Sequence, residues 1–364
     1  MRYFFAVISI VFVLGCSPEP EKAVIEVKEG VTYVCNPRMH ISEQRLIKET
    51  VFKSDDNSEF VFAEVSDIKE GPNGEVFIVD QQDNKIGVFS YDGEYLTSFG
   101  GKGEGPGEFE GVDCLDFFND GNILISDVQN LRFQIFDSEY IYLDSVKRQF
   151  GSPGKFVIDS SGRIINRPVL IFFGVEDGDK TLLNVCDSDF NPVQGFGEVK
   201  EFNEPLMEFI MNNCYLALAD NDRLCLSYMI ENRICIYEDD KLLYDINRPL
   251  FFEQKKPEVK TEKSGDEISF ITQFYPLCHD IDVDSKGNIY VLTVYIPPSE
   301  EIDFEQDGSF EMILEIFNSQ GVLQKIIPVL DIMPTNLHIG KGDKIYLNDT
   351  NEMQVLRYAA LDPN

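Results

Sequence analysis

The chain has 364 residues, 64 of them acidic against 31 basic, for a formal net charge of −33. A polyanion of that density repels phosphate backbones, which excludes nucleic acid as a partner and leaves a well-solvated surface open to cations. Its hydrophobic share of 43% suffices for a sizeable core, and the length admits two domains or one long all-β repeat.

The first fifteen residues stand apart. Arg2 precedes the apolar run YFFAVISIVFVL at 3–14, which has signal-peptide length and is too short for a comfortable membrane span. The run ends in VLGC at 13–16, which resembles the lipobox of bacterial lipoproteins. That resemblance implies a signal peptide at 1–15 and a lipid on Cys16. It further implies a body held at the cell envelope by a lipid membrane, and Ser17 in place of Asp points to the outer membrane. The alternative is an ordinary secretory signal followed by an unrelated cysteine. SPEPEK at 17–22 reads as a polar tether, and 16–44 as tether and N-terminal segment ahead of a body at 45–360.

RLIKETVF at 45–52 reads as a strand with no sheet of its own. A repeating unit follows. Its clearest part is a turn and an apolar strand: NGEVFIVD (73–80), DGNILISD (120–127), SGRIINRP (161–168), NDRLCLSY (221–228), KGNIYVLT (286–293) and GDKIYLND (342–349). Each copy has a strand before it, from VSDIKE at 65–70 to NLHIGK at 336–341, and a third after it, from KIGVFS at 85–90 to QVLRYA at 354–359. A tight turn and a fourth strand follow in five copies, best seen in SYDGEYLTSFG (90–100) and NSQGVLQKIIP (318–328). Period-two alternation and the wealth of Phe, Tyr and β-branched residues support strands. Such short sheets are apolar on both faces and bury them only by stacking around a ring. The sixth copy lacks a fourth strand, and the spare strand at 45–52 would supply it. The fold expected is therefore all-β: a six-bladed β-propeller of four-stranded antiparallel blades, closed by an N-terminal strand.

Residues 67–109, DIKEGPNGEVFIVDQQDNKIGVFSYDGEYLTSFGGKGEGPGEF, resemble the repeats of six-bladed β-propeller lipoproteins of the NHL/TolB-like group. The resemblance covers roughly residues 45–360; copies three and four depart from it, with Asn166-Arg167-Pro168 at the end of one second strand and no glycine before Arg223. The glycine-rich SFGGKGEGPGEF at 98–109 reads as a joint between blades. A phosphate loop needs a helix after the glycines, none is expected here, and Glu104 and Glu108 would repel phosphate.

Aligning the first strands places Asp67, Cys114, Lys155, Tyr215, Asp280 and Asn336 at one position, with Ser66, Asp113, Gly154, Cys214, His279 and Thr335 just before. Asp67, Asp113, Lys155, Tyr215, His279, Asp280 and Asn336 are the candidates for a binding site at the channel mouth. The carboxylates, His279 and Asn336 suit a divalent cation such as calcium, though no cofactor is required. The alternative is that these polar groups merely solvate a wet channel. No catalytic residue is assigned: there is no GxSxG, and Cys278 and His279 alternate across a strand. After Cys16 seven cysteines remain, either buried thiols or with one pair among Cys214, Cys225 and Cys235. The acidic 297–310 and the charge-alternating 253–267 are candidate partner loops or plain solvated loops. The function expected is a non-catalytic binding or assembly module for a protein, peptide or glycan. The alternative, implied by the propeller resemblance, is a calcium-dependent lactonase or a lyase.

Overall fold

The computed structural model describes residues 22–54, 60–147, 153–168, 181–250, 257–264, 267–273, 276–295 and 311–361. The signal-peptide segment, Cys16 and the acidic stretch 297–310 lie outside these residues. Six antiparallel blades follow one another. Blade one is Val65–Glu70, Val76–Asp80, Lys85–Phe89 and Tyr95–Gly100; blade two is Val112–Phe117, Ile123–Asp127, Arg132–Phe136 and Tyr142–Lys147. Blade three has Phe156–Ile158, Ile164–Asn166 and Asn184–Cys186, with single bridges to Pro192 and Phe196 in place of a regular fourth strand. Blade four is Cys214–Leu218, Leu224–Tyr228, Arg233–Glu238 and Lys241–Asn247; blade five is Cys278–Val283, Ile289–Tyr295, Glu311–Phe317 and Leu323–Val329. Blade six combines Leu337–Gly340, Lys344–Asp349 and Gln354–Tyr358 with Lys48–Phe52, which pairs antiparallel to Gln354–Tyr358.

Burial explains the sequence pattern. The second strands Val76–Asp80, Ile123–Asp127 and Leu224–Tyr228 are buried at every position, because each has a neighbouring blade on both faces. The core is thus a series of wedges between blades. One joins Phe77, Val79 and Ile86 of blade one to Leu115, Ile123 and Ile125 of blade two. Another joins Phe52, Tyr346 and Val355 of blade six to Ile68, Ile78 and Phe89 of blade one. The polar residue that ends a second strand has a separate task. Asp80 accepts the N–H groups of Ala63 (2.6 Å) and Glu64 (2.9 Å) on the incoming joint and of Asp83 (3.0 Å) on the outgoing turn. In blade six Asn348 holds the incoming joint through Thr335 and Asn336 N–H, each at 2.8 Å, and Asp349, which ends the strand, accepts Asn351 N–H (3.1 Å) on the outgoing turn.

The glycine-rich joint is held the same way. Gly100 and Gly101 take positive φ values of 93° and 138°, and a Cβ on Gly100 would meet the Phe109 ring at 2.8 Å. Phe109 is fully buried between blades one and two. Arg132, ion-paired to Asp127 at 2.7 Å, donates to the carbonyls of Gly105 (2.8 Å) and Glu108 (2.9 Å). The backbone N–H of Gly105 is taken by the Glu108 carboxylate (2.9 Å), so no phosphate cradle is formed.

The N-terminal segment does more than tether. Val24–Lys28 and Val31–Cys35 form a hairpin around Glu29 and Gly30, both at positive φ, and the second strand runs parallel to Lys241–Asn247 on the rim of blade four. Asn36 then wedges between blades four and five, donating to Gly321 O (2.9 Å) and accepting from Leu323 N–H (2.8 Å). Ser42 N–H reaches Ile326 O (2.8 Å) on blade five, and Ile47 O accepts from Ala359 (2.8 Å) beside blade six. Among the described residues, no helix is long and apolar enough to cross a membrane.

Candidate axial binding site

The six first strands surround the axis. At one end they frame a cavity of about 470 Å³, lined by Ser66, Asp113, Lys155, Tyr215, His279 and Asn336, one from each blade. Thr335, Gln81 and the loops at 62–65 and 348–353 complete its wall. Deeper along the axis a hollow of about 30 Å³ lies among Asp67, Lys69, Lys155, Asp280, Asp282 and His338. A hollow that size holds about one water molecule. Of the sequence candidates, Asp113, His279 and Asn336 therefore border the upper cavity, Asp67 and Asp280 the hollow, and Lys155 and Tyr215 both.

Lys155 is the hub. Its Nζ donates to Ser66 O (2.5 Å) and Asp113 O (3.4 Å) and lies 3.6 Å from Asp113 Oδ1. Burial works against its charge, but Asp113, Asp67 and Asp280 outweigh burial and hold it above the usual lysine range. For Asp67 and Asp280 burial wins. It raises both, and Asp280 is pushed up to about 7 against the pull of Lys155 and of two backbone N–H groups. His279 is pushed down to about 4 by burial, so its imidazole is neutral at pH 7. The Ser66 hydroxyl is buried without a partner at the edge of the upper cavity.

The carboxylates have a structural duty that explains their positions. Each first strand is the inner edge of its sheet, so it presents N–H groups that no strand can take. The neighbouring blade supplies acceptors. Asp67 Oδ2 accepts Leu115 N–H (3.0 Å), and Asp116 Oδ2 accepts Ile158 N–H (2.8 Å). Asp280 Oδ2 accepts Leu337 N–H (2.8 Å), and Asp282 Oδ2 accepts Ile339 N–H (2.7 Å). His338 links blade six to blade one, with Nε2 accepting Glu70 N–H (3.0 Å) and Nδ1 at 2.9 Å from Asp282 Oδ2. Because Nε2 accepts, the ring proton sits on Nδ1. Burial opposes the Asp282 charge, but the His338 hydrogen bond, Lys69 and Ile339 N–H outweigh it and lower its pKa. Among the described residues, no three or more His, Cys, Asp or Glu gather as a metal site. Asp113 and His279 stand at the cavity, with Asp67 and Asp280 below it on backbone donors.

The sequence reading missed Lys69, Asp116, Asp282 and His338. Each lies two residues beyond an aligned position, and strand periodicity carries such residues to the same side. Of the cysteines, Cys114 lines the deeper hollow, where burial raises its thiol. No disulfide joins any two of the seven described; Cys35 is exposed and six are buried, and burial pushes the Cys214, Cys225, Cys235 and Cys278 thiols up to about 12.

The two ends of the ring differ. Turns from first to second strand and from third to fourth lie at one end and are tight. Asp284 closes one by accepting Lys286 and Asn288 N–H (2.9 and 2.8 Å) around Gly287 at φ 79°. The long connections among the described residues join strand ends at the side that carries the cavity: Asn166 to Asn184, Phe196 to Cys214, Asn247 to Cys278 and Tyr295 to Glu311. They contain the helix Pro205–Met211 and the hairpin of Glu258–Ser264 with Glu267–Gln273, which accounts for much of the stretch read as a charged loop.

A sequence-family model described as a 6-bladed beta-propeller (DUF5128) matches residues 50–151. No curated protein matches the chain. Among solved structures, a protein of Bacteroides fragilis designated as exported is 11% identical, with 90% of this chain and 98% of that one covered and a TM-score of 0.58. A gluconolactonase of Xanthomonas campestris is 10% identical, covering 88% and 99%, with a TM-score of 0.52. A catalytically inactive virginiamycin B lyase of Staphylococcus aureus with quinupristin is 11% identical, covering 86% and 99%, with a TM-score of 0.51. At such identities these likenesses establish the architecture alone: the chain is an all-β, six-bladed propeller.

Proposed function

We propose that this propeller is a non-catalytic binding module of the cell envelope, anchored through Cys16, which recognises a protein, peptide or glycan partner at the end of the ring that carries the axial cavity. One observation carries the reading: the cavity and the strand ends joined by the long connections share one end, while the described connections at the opposite end are tight turns. Variable loops around a rigid rim are the usual means of recognition. The cavity chemistry agrees. Lys155 and Asp113 balance each other, His279 is neutral, and Ser66 and Tyr215 add hydroxyl groups, so the pocket suits a neutral polar group better than a strong ion. The exported B. fragilis protein of the same fold supports a place outside the cytoplasm.

Calorimetry of the soluble body against neutral oligosaccharide and peptide panels tests this, with Tyr215→Ala and Lys155→Met as pocket variants. Binding that weakens at least tenfold (~1.4 kcal/mol) in either variant supports the module. Binding that neither variant alters would remove the cavity from the recognition site. Lactone hydrolysis abolished by a chelator would replace this reading with the hydrolytic one.

A further inference from the structure

We propose that the N-terminal hairpin rests in the headgroup layer of a lipid bilayer, so that the propeller stands on its rim with blade four toward the membrane. The inference rests on the anchoring of Cys16 and adds an orientation to it. Four large apolar side chains of this short hairpin are exposed, Val24, Ile25, Val27 and Tyr33, and Val27 is 68% accessible. The register puts Ile25 and Val27 on the side shared with Val34, and Val24 and Tyr33 on the other together with the ion-paired Glu26 and Lys28, so each side of the sheet edge carries two exposed apolar side chains.

Three further observations point this edge at lipid. Val24 follows Cys16 by eight positions, a reach of at most about 28 Å even when extended. The chain therefore enters the fold at the rim of blade four, where the hairpin is hung. The charge is also different there. The hairpin carries Lys28 against Glu26 and Glu29, with Lys28 ion-paired to Glu26 at 2.5 Å, so it is close to neutral in a molecule whose net charge is −33. A body so acidic is repelled by an anionic surface and approaches it by its least acidic side. The long stems of Lys22 and Lys28 can lie along apolar surface with their amines in water. Among the described residues, the outer backbone edge of Val24–Lys28 has no strand partner and needs water, which sets the depth at the headgroups and not in the hydrocarbon.

The chain contains no tryptophan, so an introduced one reports its own surroundings. Val27→Trp places it on the hairpin; Leu96→Trp places it on the exposed outer strand of blade one, across the ring from blade four. Each protein is purified from membranes in its mature form and reconstituted into phosphatidylcholine vesicles with brominated acyl chains. A blue-shifted, quenched emission is expected from the Val27→Trp protein and a solvent-like, unquenched one from the Leu96→Trp protein. Solvent-like emission from both, with an acyl group on Cys16 by mass spectrometry, overturns the orientation while sparing the anchor. An unmodified Cys16 overturns the anchor and the orientation with it. A blue shift without quenching, in a protein that sediments as a dimer, assigns the hairpin to a second copy and overturns the proposal.

Discussion

At Asp127 one carboxylate satisfies four neighbours: Glu110 N–H (2.8 Å), Arg132 Nε (2.7 Å), Gln134 Nε2 (3.1 Å) and Asn130 Nδ2 (2.9 Å). Removing it strands a buried guanidinium. Asp127→Ala is expected to cost about 3–5 kcal/mol in chemical denaturation, far beyond the loss of any one hydrogen bond. Asp280 titrates in the opposite sense to most carboxylates. Its folded pKa, about 7, lies above the ordinary 3.8. The folded state thus keeps a proton that the unfolded chain has released, and this contribution to stability is full below about pH 4 and lost as pH rises to about 7. Asp280→Asn keeps a carbonyl for Leu337 N–H and removes the titration. The melting temperature of the variant relative to the parent should therefore climb between these limits and level off above; the underlying slope is at most about 1.4 kcal/mol per pH unit. A flat difference would mean that Asp280 is ionised throughout. The sequence made Asp280 visible because strand alignment is a matter of counting. It did not reveal what Asp280 holds, because Leu337 N–H belongs to another blade and to a sheet edge that exists only in the closed ring.

Among the elements, those with strong alternation were legible and those held by neighbours were not. The second strands announce themselves through unbroken apolar runs between a turn and a polar stop, as in NGEVFIVD. Blade three is weaker: its strands have three residues each, and its outer edge is made of two isolated bridges. VIEVKEGVTYVC carries a hairpin signal, with alternation around Glu29-Gly30, but its proximity to the anchor made it read as tether. The strand Lys48–Phe52 closes the last sheet with Phe52 fully buried, edge-on to Phe89 at 6.0 Å and tilted against Tyr346 at 5.9 Å. Phe52→Ala is expected to cost about 3–5 kcal/mol and to lower the melting temperature of the whole ring cooperatively. A separate early transition, with the remaining blades melting as before, would show that this strand is dispensable to the others.

For the whole molecule, charge is the dominant long-range term. A net charge of −33 makes the compact state repel itself. Raising ionic strength from about 0.01 M to about 0.15 M shortens the screening length from about 30 Å to about 8 Å, and the melting temperature is expected to rise. No rise would mean that local pairs such as Arg233–Asp245 (2.8 Å) and Lys344–Glu49 (2.6 Å) already offset the repulsion.

The belt formed by residues 24–52 ties the first-made part of the chain to the last: Asn36 to Gly321 and Leu323, Ile47 to Ala359, Phe52 to Tyr346. A ribosome finishes those partners about 300 residues after it makes the belt. Until then the early strand has nowhere to dock and the sixth wedge stays open, a long-range closure of the kind that slows folding. The ring therefore closes only once Gln354–Tyr358 has been made. A copy that stops before Lys344 would display greasy blade faces of the kind proteases and chaperones recognise, so the circular design doubles as a check that the sixth blade has been made.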